Sequence, residues 1–242
     1  MKFKRLIALL LLMSVTASTA CSLVDTAVPG TESDSGIINL SSNYASMTPE
    51  EICASLSLEQ KAAQMMQPTI YNCKPSRMKA VDYGSILSKY EDWPMPSDTE
   101  WMGIVTDYQK FAMESDAGIP FVYGNDSLHG VNFASGCVIF PHNINIGAAY
   151  DVELTEEYGK LVGSDIAHTG MLLNFSPCVA TAADPRWGRT YESYSSDSGI
   201  VTDLAVAYSR GLLSEGIVVC PKHFFGDGMT AFGTGDQNHC RW

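Results

Sequence analysis

Four short apolar runs alternate with helical patterns along the chain, and this alternation limits the fold more than any other feature of the sequence. Each run has the length and continuous hydrophobicity of a buried parallel strand. The runs span 83–87, 119–123, 171–175 and 217–220. Between them, apolar residues recur at helical spacing in 101–115, 151–168 and 202–213. The stripe predicted for 151–168 consists of Leu154, Tyr158, Leu161, Val162 and Ile166. Strands that alternate with helices predict an α/β fold with a parallel sheet.

Polar side chains follow the last three of these runs. Asp126 follows the second, an Asp- and Arg-rich loop at 184–193 comes after the third, and Lys222 and His223 follow the fourth. In a (β/α)8 barrel the chemistry lies at the carboxyl ends of the strands, and a doubly wound sheet also binds its ligand there. No GxGxxG follows the first run and no GxxxxGK[ST] occurs, so nucleotide phosphate loops are not indicated.

The first 46 residues lie outside this pattern. Residues 1–20 combine a basic start, an apolar run too short to cross a bilayer and small residues before Cys21, which is the layout of an export signal. Cleavage before Cys21 leaves two alternatives, a bacterial lipoprotein tethered to a membrane through a lipidated Cys21 and a plain secreted protein. Residues 21–46 are rich in small polar residues and predict a flexible tether.

The folded part is expected to cover residues 47–242. Thr48, Pro49 and Glu51 have the spacing of a helix start, with a capping box between Thr48 and Glu51. The next helix is predicted at 58–67. Its buried face is expected to contain Ala62, Ala63, Met65 and Met66.

Charge and metal-ligand spacing exclude several classes of protein. The chain has 15 basic and 27 acidic residues, a net charge of −12, which makes it a poor partner for phosphate backbones and argues against nucleic-acid binding. The seven cysteines form no CxxC pair, and the five histidines show no HxH or HExxH spacing. The spacing therefore gives no support for a metal site, although His129, His142, His223 and His239 leave that alternative open.

Asp126 is the first candidate for site chemistry. It lies directly past a buried strand, where a carboxylate can accept hydrogen bonds from two neighbouring hydroxyls. The alternative is an Asp that only caps a turn.

The loop at 184–193 is the second candidate. It combines two arginines with Asp184, Trp187 and Glu192, which predicts an ion-paired loop with an aromatic wall. One arginine is expected to be structural and paired with Asp184 or Glu192, and a surface salt-bridge loop is the alternative.

Lys222 and His223 are the third candidate. They place a cation beside an imidazole, and adjacent residues enter one pocket only where a strand is ending. A core histidine is the alternative for His223.

Together these segments resemble the family 3 glycoside hydrolases, the β-glucosidase group. The resemblance extends from about Leu58 to the end of the chain. It is carried by SLSLEQKAAQMMQ at 55–67, YGSILS at 83–88, GIPFVYGNDSLHG at 118–130, IFPHNINIGAA at 139–149, SPC at 176–178, DPRWGRTYESYSSD at 184–197 and KHFFGDG at 222–228. DPRWGR and KHF at this separation are a highly specific pair.

The resemblance implies a (β/α)8 barrel, usually followed by an α/β sandwich domain, and an enzyme that releases sugars from non-reducing ends with retention. It implies that Asp126, Arg189, Lys222 and His223 bind the terminal sugar ring, with no cofactor. The substrate would be a β-linked oligosaccharide or an aryl glucoside. Phe225 and Asp227 stand where the N-acetylhexosamine branch has Pro and His, which favours the glucosidase or xylosidase branch.

The chain also departs from the family pattern. A retaining hydrolase needs a nucleophile and an acid/base, and the family's SDW-like nucleophile motif does not occur here. A full barrel needs roughly 250 residues, and only four strand–helix units are recognisable. We therefore expect the first half of a barrel that holds the sugar-binding residues, with the catalytic pair beyond residue 242. The rivals are a non-catalytic sugar-binding lipoprotein fragment and a metal-dependent barrel hydrolase.

Overall fold

The computed structural model describes residues 44–88, 94–224 and 226–233. The predicted signal peptide, Cys21 and most of the predicted tether lie outside these residues, as does Phe225. Every helix within the described ranges is too short or too polar to cross a bilayer.

The described residues alternate between helices and short strands along the chain. The helices are α1 (Pro49–Ser55), α2 (Leu58–Gln64), α3 (Pro75–Ala80), α4 (Asp98–Met113), α5 (Asn143–Ala149), α6 (Val152–His168) and α7 (Ser198–Ser214). The strands are β1 (Ser85–Leu87), β2 (Val122–Asn125), β3 (Leu173–Asn174) and β4 (Val218–Val219).

The strands form a sheet in the order β1-β2-β3-β4. β2 and β4 each pair in parallel with β3, which brings Asn125 level with Asn174 and Asn174 level with Val219. The parallel pairs confirm the predicted α/β fold, and the sequential strand order is the order found in a (β/α)8 barrel. β2 lies later than the predicted run at 119–123, because Phe175 N donates to Asn125 O at 3.0 Å and so extends the ladder to a polar residue.

The chain divides into two compact units. Among the described residues, the first contains 44–86 and 106–122, and the second contains 87–88, 94–105, 123–224 and 226–233. Every candidate site residue predicted within the fold belongs to the second unit.

In the first unit, the structure confirms the predicted start of α1. Glu51 N donates to Thr48 Oγ1 at 3.3 Å and Thr48 N donates to Glu51 Oε2 at 2.7 Å, which closes the capping box. Tyr44, inside the predicted tether, donates from its hydroxyl to Ala117 O at 2.7 Å. The packing of this unit therefore begins before residue 47.

The predicted buried face of α2 is wrong except at Ala63. Met65 is 87% exposed and Met66 is 53% exposed. The helix ends at Gln64 and Met65 is its C-cap, so both methionines follow the helix instead of lying on its packed face.

In the second unit, α6 and α7 pack through glycines. A Cβ added at Gly159 would lie 2.4 Å from Tyr208 O, and one at Gly211 would lie 2.3 Å from Glu156 O. The two helix backbones therefore approach too closely for a side chain at either position. Because α6 meets α7 along these glycines, its buried face differs from the predicted apolar stripe. Leu154 and Leu161 are exposed, while Tyr158 and Val162 are buried.

We predict that Gly211→Ala destabilises the protein by about 1–3 kcal/mol, the usual cost of overpacking a tight core. The added methyl would collide with backbone atoms of α6, which cannot move aside as a side chain can. Thermal unfolding measures the change. The control is Gly103→Ala in α4, where nothing lies within 4 Å and where helix propensity favours Ala by roughly 0.5–1 kcal/mol. Equal melting temperatures for the two variants would contradict this packing.

Candidate functional site

The loop after β2 is fixed by asparagines at the ends of two strands. Asp126 N donates to Asn125 Oδ1 at 2.8 Å. Asn174, at the end of β3, accepts from Ser127 N at 2.9 Å through Oδ1 and donates to Ser127 O at 3.2 Å through Nδ2. Asp126 is thereby held at the carboxyl edge of the sheet, with 56% of its side chain exposed.

Lys222 joins this loop to the segment after β4. Its Nζ forms an ion pair and hydrogen bond with Asp126 Oδ1. Its backbone is anchored to the segment after β3, since Lys222 N donates to Pro177 O at 3.0 Å and Val179 N donates to Lys222 O at 2.7 Å. Only 15% of the Lys222 side chain is exposed, so its ammonium group emerges from a packed stem beside the more exposed carboxylate.

Arg189 is held from two directions. Its Nε donates to Glu192 Oε1 at 2.7 Å and its Nη2 donates to Glu192 Oε2 at 2.6 Å, a bidentate pair. Its Nη1 lies 3.1 Å from His223 Nε2. A guanidinium has five N–H donors, so these three contacts leave two N–H groups for a ligand.

The Arg189–Glu192 pair is charged at neutral pH. Burial raises the pKa of Glu192, but the hydrogen bonds and charge of Arg189, helped by the charge of Lys222, more than offset this and lower the pKa overall. The bond to Glu192 raises the pKa of Arg189 well above its usual range. Glu192 is 6% exposed, so this carboxylate serves to orient Arg189 and lies out of solvent.

Both arginines of the loop are paired, where the sequence predicted one structural arginine. Arg186 pairs with Asp184, with Nη2–Oδ2 at 2.5 Å and Nε–Oδ1 at 2.9 Å. The expected aromatic wall does not form at Trp187, which is only 4% exposed and packs among Cys178 and Ala180. The small residues beneath the loop admit the indole, so Trp187 supports the loop from inside.

The Asp184–Arg186 pair predicts a pH dependence of stability. Arg186 lowers the pKa of Asp184 from 3.8 to about 2 through its side-chain and backbone hydrogen bonds. A lowered folded-state pKa contributes stability above the unfolded value and loses it as the pH falls towards the folded value. We therefore expect the free energy of unfolding at pH 5 to be larger for the wild type than for Asp184→Asn. The difference between the two proteins should become smaller as the pH falls below 3.8. Urea unfolding at several pH values measures this, and a gap that widens in acid would contradict it.

Two residues of the site were absent from the predicted binding set, although the sequence places Asp227 in the same segment as Lys222 and His223. Asp227 Oδ2 lies 2.7 Å from His223 Nδ1, and Asn143 Nδ2 donates to Glu192 O at 2.8 Å. Asp227 was recognisable from its spacing four residues after His223 in one loop. Asn143 gave no sequence signal, since it is 49 residues from its partner.

The structure thus brings Asp126, Arg189, Lys222 and His223 into one linked set, with Glu192 behind Arg189. The set offers one exposed carboxylate as acceptor and an ammonium and a guanidinium as donors. Such a mixture suits a ligand with many neighbouring hydroxyls. Within the described part of the chain, no group of three or more His, Cys, Asp or Glu residues is placed to hold a metal ion.

Comparison with known proteins gives consistent results. The model of the glycosyl hydrolase family 3 N-terminal domain matches residues 57–241. The lysosomal beta glucosidase of Dictyostelium discoideum is 27% identical over 138 residues, which cover 52% of this chain and 17% of that protein. The probable beta-glucosidase L of Neosartorya fischeri is 28% identical over 153 residues, which cover 62% of this chain and 20% of that protein.

A solved structure is similar over a longer stretch. The exo-1,3/1,4-beta-glucanase ExoP of a Pseudoalteromonas species is 34% identical with a TM-score of 0.72, over 76% of this chain and 25% of that one. The chain therefore spans only a minor part of the length of these relatives.

Proposed function

The chain belongs to glycoside hydrolase family 3, and from this premise we propose that the intact protein hydrolyses terminal, non-reducing β-D-glucosyl or β-D-xylosyl residues of oligosaccharides with retention of configuration. The names of the relatives, a beta glucosidase and an exo-1,3/1,4-beta-glucanase, support the glucosyl alternative.

The observation that carries this proposal is the continuous contact between three loops. Asp126 after β2 contacts Lys222 after β4, and the neighbouring His223 contacts Arg189 in the loop after β3. Residues from three successive strand ends therefore share one site, at the edge of the sheet where α/β barrels bind their substrates.

Each side chain has a distinct role in the proposed complex. Asp126 accepts hydrogen bonds from two adjacent sugar hydroxyls, while Lys222 and the two remaining Arg189 N–H groups donate to sugar oxygens. Glu192 keeps the guanidinium in a fixed plane. A hydrogen bond to a charged group contributes about 1.5–3 kcal/mol, so a few such contacts suffice to select one sugar ring.

We assign the catalytic pair to another part of the protein. A retaining mechanism needs a carboxylate nucleophile and a carboxylic acid about 5–5.5 Å apart. The sequence SDW does not occur in the chain, and Asp126 and Glu192 are each paired with a cation. On this proposal, residues 1–242 bind the sugar and do not cleave it by themselves.

The test is hydrolysis of nitrophenyl β-D-glucoside and β-D-xyloside by the intact protein, with the anomer first released identified by proton NMR. We expect β-glucose or β-xylose. Release of the α-anomer would contradict the retaining mechanism, and no release from either substrate would contradict the glycosidase. Residues 1–242 alone serve as the comparison, and hydrolysis by them would overturn the assignment of the catalytic pair.

We also propose that the protein is exported through residues 1–20, either as a lipoprotein with lipid on Cys21 or as a plain secreted protein. The support is the order of basic, apolar and small residues before Cys21. Metabolic labelling with a radioactive fatty acid in a bacterial host tests this, with Cys21→Ser as the control. Equal labelling of both proteins would contradict lipidation at Cys21, and retention of an uncleaved chain in the cytoplasm would contradict export.

A further inference from the structure

The two ring nitrogens of His223 have different neighbours. Nε2 lies 3.1 Å from Arg189 Nη1, and Nδ1 lies 2.7 Å from Asp227 Oδ2. Nδ1 is shielded from solvent, and no acceptor in the described part of the chain, Asp227 included, meets it in hydrogen-bond geometry. Asp227 is nevertheless the carboxylate that lies beside Nδ1.

These neighbours decide where the imidazole carries its proton. A guanidinium has donors only, so Nε2 takes part in the Arg189 contact as an acceptor and carries no proton. A neutral ring then has its proton on Nδ1, the nitrogen that lies 2.7 Å from the Asp227 carboxylate. The opposite tautomer would place two N–H groups against each other at Arg189 and leave Nδ1 facing a negative charge as an acceptor.

Asp227 is held in place by the turn around it. Gly226 and Gly228 both adopt positive φ, 86° and 82°, a conformation that favours glycine. A Cβ at Gly228 would lie 2.7 Å from Thr181 O, and Ala183 N donates to Gly228 O at 3.1 Å. The turn is therefore packed against the loop after β3, and only 18% of the Asp227 side chain is exposed.

We propose that Asp227 is a positioning residue that holds His223 as the neutral Nδ1–H tautomer, so that His223 Nε2 and Glu192 together fix the Arg189 guanidinium for sugar binding. His223 is then an acceptor for Arg189, and the donors left to the ligand are Arg189 and Lys222. The inference rests on the proposed function only for the nature of the ligand, since the contacts among Asp227, His223 and Arg189 stand without it.

The first test is NMR of the intact protein labelled with ¹⁵N-histidine, with the His223 signals identified by their loss in His223→Gln. We expect the two ring ¹⁵N chemical shifts of His223 in the wild type to be those of a neutral imidazole protonated at Nδ1, the Nδ1–H pattern. Asp227→Ala should show shifts averaged between the two tautomers. Asp227→Asn, which keeps an acceptor oxygen, should retain the Nδ1–H pattern. An Nε2–H pattern in the wild type, or an unchanged pattern in Asp227→Ala, would overturn the proposal.

The second test is calorimetric titration of the same proteins with glucose. We expect Asp227→Ala to weaken binding about tenfold, because Arg189 then loses the fixed His223 acceptor, and Asp227→Asn to stay within about threefold. The control is Asp203→Ala, a surface carboxylate that accepts from Tyr150 at 2.7 Å, and it should bind as the wild type does. Unchanged affinity in Asp227→Ala would overturn the positioning role. A wild type that shows the Nδ1–H pattern but binds no glucose contradicts the proposed function and leaves the tautomer assignment standing.

Discussion

Asp126→Ala is expected to abolish hydrolysis of nitrophenyl β-D-glucoside by the intact protein. In the proposed complex, Asp126 accepts two hydrogen bonds from sugar hydroxyls, and bonds to a charged group contribute about 1.5–3 kcal/mol each. Their loss corresponds to roughly 10²–10⁴ in kcat/KM at 1.36 kcal/mol per tenfold. The substitution also leaves Lys222, with 15% of its side chain exposed, without its carboxylate partner.

Asp107→Ala is the matched control for Asp126→Ala. Asp107 also pairs with a lysine, Lys110 at 3.4 Å, but both side chains are more than half exposed. Exposed pairs of this kind contribute about 0–1 kcal/mol, so activity should stay close to that of the wild type. Activity of Asp126→Ala within tenfold of the wild type would overturn the role of this carboxylate.

Glu192→Ala is expected to lower kcat/KM by roughly thirtyfold, mainly through a higher KM. Breaking a fully buried ion pair costs about 3–5 kcal/mol, and Arg189 is 39% exposed, so water screens part of the loss and about 2 kcal/mol remains. Without Glu192 the guanidinium loses both bonds that fix its plane and keeps only the contact with His223.

Steady-state kinetics over a range of substrate concentrations separate the two constants. The control is Glu157→Ala, which removes an exposed partner of Lys160 on the surface of α6 and should leave kinetics unchanged. A Glu192→Ala enzyme with normal KM would contradict the view that this pair orients a sugar-binding group.

The sequence predicted the parts of the fold that depend on local pattern. Apolar runs located the four strands, and helical periodicity located α4, α6 and α7. The capping box at Thr48 and Glu51 was recognisable because its residues lie three apart. These features depend on a few neighbouring residues, and one sequence displays them directly.

The errors arose where tertiary packing overrides local pattern. Leu154 and Leu161 have helical spacing, yet the glycine contact of α6 with α7 turns them outward. Trp187 was expected as an exposed wall, but the space beside Cys178 and Ala180 buries it. Neither outcome is visible without knowing which surfaces meet.

The site residues could also be predicted from the sequence, but their contacts could not. Family motifs identified Asp126, Arg189, Lys222 and His223 as candidates, but they did not show that Lys222 pairs with Asp126 across 96 residues. They also left open which acid pairs with which arginine. The Asn143 bond to the Glu192 backbone depends on the three-dimensional arrangement alone.

A crystal structure of the intact protein soaked with glucose tests the central claim most directly. We predict one glucose ring whose hydroxyls lie within hydrogen-bond distance of Asp126, Lys222 and Arg189, with His223 beside the guanidinium. Glucose bound away from these residues would contradict the account. So would a structure in which these side chains point away from a common cavity while glucose is bound at the catalytic site of the intact protein.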